Sequence, residues 1–358
     1  MQSKEFFKAL EMVAEERNLE KEKILDIMSR GILNAYKKIH ATADNARVEF
    51  NEDKNEIMLY ADLLVVPDPE EPGEISLEEA RTHRKSAKIG DTITVKESPK
   101  DFGRIAASSA KQILTQGLKQ LERERIYDIF KEREGEMINT EIVSVNRDFV
   151  TLDMGHGLET SLPRKELLRS DIAQVEERLK VYITKVEMTP KGPKVFVSRT
   201  DRNLVKRLIE QVCPEIMEGT VEIMGIARDP GERTKVAVYS HDENVDPVGS
   251  VVGYKGNRIR EVLDALQGEK IDIYEWSKDP SELILNALEP AKIVAINPDK
   301  KRKSAIVIVN DKDYTAAIGS KGQNAKLAAL SSGWKIDVKS ISEAKEEGLR
   351  YRRIDHEE

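Results

Sequence analysis

The chain carries one device twice: VVGYKGNRIREV at Val251–Val262 and AAIGSKGQNAKLA at Ala316–Ala328. Each copy runs from small and apolar residues into G-x-x-G with a lysine inside, then into the polar start of an amphipathic run. The glycines stand at Gly253 and Gly256, and again 66 positions later at Gly319 and Gly322. Glycine permits positive φ, and its missing Cβ lets a backbone come close to a ligand. Free amide N–H groups and the positive end of the following helix then face one point, where a phosphate fits. The middle residues of each loop, Tyr254 and Lys255 in one and Ser320 and Lys321 in the other, point outward. Arg258, Gln323 and Lys326 follow at the start of the next helix and join them as candidate ligand contacts. A Walker loop is excluded, because no G-x-x-x-x-G-K-[ST] occurs. A dinucleotide fold is excluded as well, because each G-x-x-G follows a helical stretch and not a strand.

Reading outward, residues 201–277 give helix, strand, strand, helix, G-x-x-G, helix, strand, and residues 278–344 repeat that order. The pieces of the first copy include RNLVKRLIEQV, TVEIMGIARD, RTKVAVYS and KIDIYEW; those of the second include DPSELILNAL, AKIVAIN, KSAIVIVN and WKIDVKS. Two copies at this spacing mean a duplicated domain, since a solenoid needs more repeats. The order is that of a KH module, whose G-x-x-G loop clamps about four nucleotides of single-stranded nucleic acid.

Upstream, residues 135–200 turn to a period of two. MINTEIVSVN, FVTLDMG, LETSLP, KVYITKVEM and KVFVSRT are five short strands parted by the turn signals NRD, GHG and TPKGPK. Five such strands predict a small OB-type barrel. Phe149, Tyr182 and Phe196 could stack bases there, although strand alternation sends at least half of such residues into the core. Arg164 and Lys185 are candidate phosphate contacts, with plain solvated residues as the alternative. Residues 1–134 read as an α/β domain: helical spacing over Phe6–Val13 and Ile24–Ile39, then the strand stretches ARVEF, EIMLYADLLVV and TITVKES. A proline-free run from Phe102 to Glu134 predicts a long, rigid connecting helix.

Composition bounds what these modules do. The 358 residues carry a net charge of −7, with 34% charged and 5% aromatic side chains. That excludes a uniformly basic nucleic-acid sponge, yet residues 201–340 are nearly balanced, so local basic patches remain open. Residues 1–135 carry 23 basic and 27 acidic side chains and no G-x-x-G, which favours protein docking there. The single Cys213 forms no intrachain disulfide and points to a reducing, cytoplasmic setting; beside Pro214 it reads as a small core filler. No apolar run is long enough to span a membrane. The five histidines are scattered without metal spacing, and no carboxylate pair is marked out for acid–base work. Trp276 and Trp334 read as core or inter-domain packing, and the tail from Glu343 as a fraying helix or disordered segment. Because the loops are exposed, the fold is expected to survive substitution at Gly253 or Gly319.

The module order, with EGEMINTEIVSV, LPRKE, KGPKVFVSRT, CPEIMEGTVEIMGIARDPGERTKVAV, DPVGSVVGYKG, AIGSKGQNAKLA and, near the N-terminus, KILDIMSRGILNAYKK, DLLVV and RIAASSAKQILTQGL, resembles the NusA family of bacterial transcription elongation and termination factors. The resemblance spans essentially the whole chain. It implies a multidomain α+β protein: an N-terminal α/β domain with a long connecting helix (1–134), an S1-type OB barrel (135–200), two tandem type II KH domains (201–277 and 278–344) and a short tail (345–358). It implies a monomeric, non-enzymatic transcription factor that needs no cofactor or metal. Its partners would be RNA polymerase, nascent single-stranded RNA and other transcription antitermination factors, with no membrane. The RNA-binding residues would be Gly253, Tyr254, Lys255, Gly256, Arg258, Gly319, Ser320, Lys321, Gly322, Gln323 and Lys326, with Phe149, Arg164 and Lys185 of the barrel. An RNA-processing or exosome-cap-like RNA-binding subunit also joins barrel and KH modules and stands as the alternative. Direct KH tandem and the large N-terminal domain favour the transcription factor.

Overall fold

In the computed structural model, the structure describes residues 20–40, 45–51, 56–71, 73–97 and 103–354, together with Phe7, Glu11, Met12, Ala14, Glu15 and Lys54. Most of the helical spacing read over Phe6–Val13 therefore lies outside the described residues. The chain divides into two compact units, Met1–Ile129 with Met188–Pro193, and Phe130–Glu187 with Lys194–Glu358.

In the first unit, α1 (Lys21–His40) is followed by β1 (Ala46–Asn51), β2 (Glu56–Val66), β3 (Glu74–Ser76), α2 (Leu77–His83) and β4 (Thr92–Glu97). The 11-residue β2 organises the sheet, pairing antiparallel with β1 and β4 and parallel with β3. The apolar face of α1 closes one cluster, with buried Tyr36 against Leu59 and Ala61 and with Ile32 beside them. A second cluster gathers Val65, Ile75, Ala80, Ala87, Ile93 and Val95. Ser76 starts α2 by accepting the Glu79 N–H on its side chain. The connecting helix α3 runs Gly103–Glu132, 30 residues, or about 45 Å at the usual rise. Its expected first residue, Phe102, is outside the described residues.

The second unit opens with the five forecast barrel strands: β5 (Met137–Val145), β6 (Phe149–Asp153), β7 (Glu159–Pro163), β8 (Arg178–Thr189) and β9 (Gly192–Ser198), in sheet order β7-β6-β5-β8-β9. Alternation sends Ile138, Ile142, Val150, Leu152, Leu162, Val181, Ile183 and Val195 inward. The sheet curls on itself, and the Thr160 hydroxyl of β7 donates to the Val195 carbonyl of β9 at 2.5 Å, joining the two outer strands. The result is a barrel-like sheet of the S1/OB kind.

Two copies of one αββααβ unit follow. The first comprises α4 (Arg202–Val212), the short α5 (Pro214–Met217), β10 (Val221–Asp229), β11 (Arg233–Ser240), α6 (Pro247–Val252), α7 (Asn257–Ala265) and β12 (Lys270–Glu275). The second comprises α8 (Pro280–Leu288), β13 (Ile293–Asp299), β14 (Ser304–Val309), α9 (Tyr314–Ile318), α10 (Gln323–Ser332) and β15 (Lys335–Ser340), with α11 (Ile341–Glu346) after it. In each copy the first two strands are antiparallel and the last two parallel. A parallel pair cannot be closed by a hairpin, so the chain must cross over, and the helix–loop–helix bearing G-x-x-G is that crossover.

Buried polar groups join these modules. Arg199, at the end of the barrel, is 1% exposed and grips Asp171 through Nε and Nη2, at 2.9 and 2.5 Å. It also donates to the carbonyls of Lys180 in the barrel and Ala265 in the first KH unit. Arg228 is paired with buried Glu269 and reaches the Asp201 carbonyl. Such pairs give little net stability, but losing one partner strands a buried charge, so they fix one arrangement. Between the KH units, α10 packs on β10 and β11. The Tyr274 hydroxyl donates to Ser331 Oγ at 2.8 Å. A Cβ on Gly225 would lie 2.0 Å from the Ser331 carbonyl oxygen, so only glycine admits that approach. Lys235 on β11, 1% exposed, donates to the Glu289 carbonyl of the second unit at 3.1 Å and faces Asp272 at 3.3 Å. Trp276 and Trp334 both pack on the core that spans these two units.

The tail departs from expectation. Glu343 closes a capping box with Ser340 at the start of α11. Beyond it Leu349 and Tyr351 pack with Ala295, Ile308 and Ala344, and Ile354 N–H donates to the Val294 carbonyl. An unpaired apolar edge of the second KH sheet is covered this way; the sequence pattern there gives only a charged run. Residues 355–358 lie outside the described residues.

Candidate nucleic-acid interface

The two G-x-x-G loops are the same backbone twice. Gly253 and Gly319 have φ/ψ of 76/173° and 77/172°. Lys255 and Lys321 follow at 50/29° and 53/26°, and Gly256 and Gly322 at 75/19° and 76/12°. The first glycine sits where essentially only glycine is found, and each lysine holds a left-handed conformation that L residues seldom take. Local bonds fix the turn: Gly253 N–H to the Gly249 carbonyl and Gly256 N–H to the Gly253 carbonyl, matched by Gly319 to Thr315 and Gly322 to Gly319. Substitution at the first glycine is therefore not benign, contrary to the expectation from exposure. A Cβ at Gly253 would stand 2.7 Å from Arg258 Cγ, and one at Gly319 2.8 Å from the Asn324 backbone N.

Both following helices start on a glycine that offers no side-chain cap. The first N–H of each helix, on Asn257 and on Gln323, donates to the Tyr254 and Ser320 carbonyls, while the positive end of the helix dipole faces an anion at the loop. Tyr254, Lys255, Ser320, Lys321 and Lys326 are exposed around them. Tyr254 is 79% exposed, and the Lys255 ammonium lies 5.3 Å from its ring centroid.

Other expected contacts are engaged with the protein. Arg258 turns inward, where Nη1 donates to both Glu215 oxygens at 2.8 and 3.1 Å and to the Ser250 carbonyl at 2.6 Å. It braces the helices flanking the first loop instead of lying free beside it. Burial works to raise the Glu215 carboxyl, but its own backbone N–H, Arg258 and Cys213 outweigh that and hold it below the usual carboxylate range. Cys213 is fully buried in the first KH core, and burial raises its thiol pKa, as suits a filler and not a nucleophile. Gln323 donates to Asp229 at the end of β10 at 2.7 Å, tying the second loop to the first KH unit. In the barrel, Arg164 folds back on the Asn146 carbonyl, Lys185 pairs with Glu187, and Phe149 is 38% exposed.

Asn324 escapes a sequence reading. It occupies the position in the second copy that Arg258 holds in the first, 4% exposed, and its amide donates to the carbonyls of Ala317 and Leu288. Both residues therefore do one job, tying the helix after the loop to the helix before it. The only signal is a polar residue where the helix otherwise turns apolar. Among the described residues no His, Cys, Asp and Glu cluster could hold a metal, and no helix is long and apolar enough to cross a membrane.

Comparison with known proteins agrees with this architecture. Residues 5–124 match the NusA N-terminal domain, 199–276 the NusA-like first KH domain and 280–346 the NusA-like second KH domain. The transcription termination/antitermination protein NusA of Bacillus subtilis is 41% identical over 99% of this chain and 96% of its own. That of Thermus thermophilus is 39% identical over 93% of this chain and 89% of its own. The solution structure of the N-terminal domain of NusA from B. subtilis covers 34% of this chain and 98% of its own at 36% identity, with a TM-score of 0.26. With both KH crossovers in place and relatives alike from end to end, the chain belongs to the NusA family of transcription termination/antitermination proteins, with RNA-binding KH domains.

Proposed function

We propose that this protein is a non-enzymatic elongation factor. It binds RNA polymerase through residues 1–134 and nascent single-stranded RNA through the barrel and both KH units, and so modulates pausing, termination and antitermination. It acts as a monomer alongside other antitermination factors. The observation that carries the RNA half is the pair of superimposable loops, each presenting a lysine beside an uncapped helix start. The polymerase half rests on family membership and on the acidic balance of the first domain.

The test pairs Lys255→Glu with Lys321→Glu in the full chain. Both lysines are exposed, so the fold survives the change. Two reversed phosphate contacts should weaken single-stranded RNA binding by more than about tenfold. Co-purification with RNA polymerase should be untouched, and the effect on pausing should fall with the RNA affinity. Labelled RNA should stay intact with magnesium or phosphate present. Unchanged RNA affinity, failure to retain polymerase, or degradation of the RNA would each sink the reading.

A further inference from the structure

The two loops share a backbone but not a surface. Where the second has Ser320, the first has Tyr254, the most exposed large apolar side chain among the described residues at 79%. We infer that Tyr254 is a base-stacking platform, so that the first loop grips a nucleobase as well as a phosphate and the second grips phosphate alone. This rests on the RNA-binding reading of the loops and deepens it.

A tyrosine this exposed adds nothing to a core, and its ring faces the adjacent Lys255 ammonium, 5.3 Å from the centroid. The loop that holds it is fixed by two positive-φ glycines and its own hydrogen bonds, so little ordering cost remains on binding. Lys255, one residue on, sits where a phosphate would draw its ammonium away from the ring, which frees a π face beside that phosphate. A base attached to the same nucleotide or its neighbour can then lie on the ring, and every base has a face for it. Gly319–Gly322 is the built-in comparison: the same dihedral angles and the same lysine, with a hydroxyl in place of the ring.

The probes are a twelve-nucleotide single-stranded RNA and a strand of the same length with every base removed, each titrated with the full chain. Tyr254→Ser should weaken the base-bearing strand by roughly five- to a hundredfold. It should leave the abasic strand within about twofold, and Tyr254→Phe should bind both strands like the parent. Tyr254 is exposed, so folding is not at stake. An equal loss on both strands would make the tyrosine a backbone contact and overturn the inference, and no loss on either would overturn it too. Lys255→Glu with Lys321→Glu separates the two levels. If that double variant loses both strands while Tyr254→Ser loses neither, stacking fails and the RNA-binding loops stand. If it keeps both strands, the loops are not the RNA site and stacking falls with them.

Discussion

At the scale of single residues, G-x-x-G spacing shows where a loop lies but not which glycine it depends on. Gly319 stands at φ 77° and ψ 172°, with the Asn324 backbone in the way of any Cβ, whereas Gly322 is left-handed with open space around it. Gly319→Ala should therefore cost at least about 2 kcal/mol from strain and collision together. Gly322→Ala should cost about 1 kcal/mol, the ordinary penalty for a left-handed L residue. Thermal unfolding of the two variants checks this, and equal shifts would contradict it. The lysines were legible because they lie between the glycines. Arg258 was legible as a position but not in its role, because a guanidinium at a helix start looks the same in sequence whether it faces a phosphate or Glu215. Asn324 was not legible, since its value lies in two carbonyls brought close only by the fold.

At the scale of elements, alternation and helical spacing did most of the work. All five barrel strands and both αββααβ orders follow from them, because period reports which face of an element is buried. It does not report what that face is buried against. β12 illustrates the gap: Tyr274 reads as one more alternating aromatic, but it is 4% exposed and donates to Ser331 on the neighbouring unit's α10. Burial pushes its phenol up to about 12. The unfolded chain ionises this tyrosine near its ordinary value of 10, while the native state keeps it neutral for longer. Its contribution to stability is therefore complete below pH 10 and is lost as pH rises toward 12, on the order of 2–3 kcal/mol in all. Tyr274→Phe should be less stable at pH 8, by about 1 kcal/mol for the lost hydrogen bond. It should also show a shallower alkaline decline than the parent. Unfolding measured from pH 8 to 12 decides it, and parallel curves would refute the assignment.

At the scale of the whole molecule, module order was legible because each module has its own period and its own turns. The joints between modules were not, because they are built from residues that sequence assigns to the surface. Arg199, Arg228, Glu269 and Lys235 are all charged, and the side chains of all four are 1% exposed or less. Lys235 has a further consequence, in reaction chemistry. An amine must be uncharged and accessible to be acylated. Burial lowers the Lys235 pKa, with Asp272 pulling the other way, so the amine is less strictly held protonated than an ordinary lysine. Access is then what holds its reaction back, because a reagent reaches Nζ only when the first KH unit parts from Glu289 of the second. Local opening of that kind is a minor population, so its free energy sets the rate. Acylation followed residue by residue by mass spectrometry should find Lys255 and Lys321 modified early and Lys235 far behind. Modification of Lys235 as fast as those two would show that the joint stands open. Otherwise this one side chain keeps time for the parting of the two KH units, with no label added to the chain beforehand.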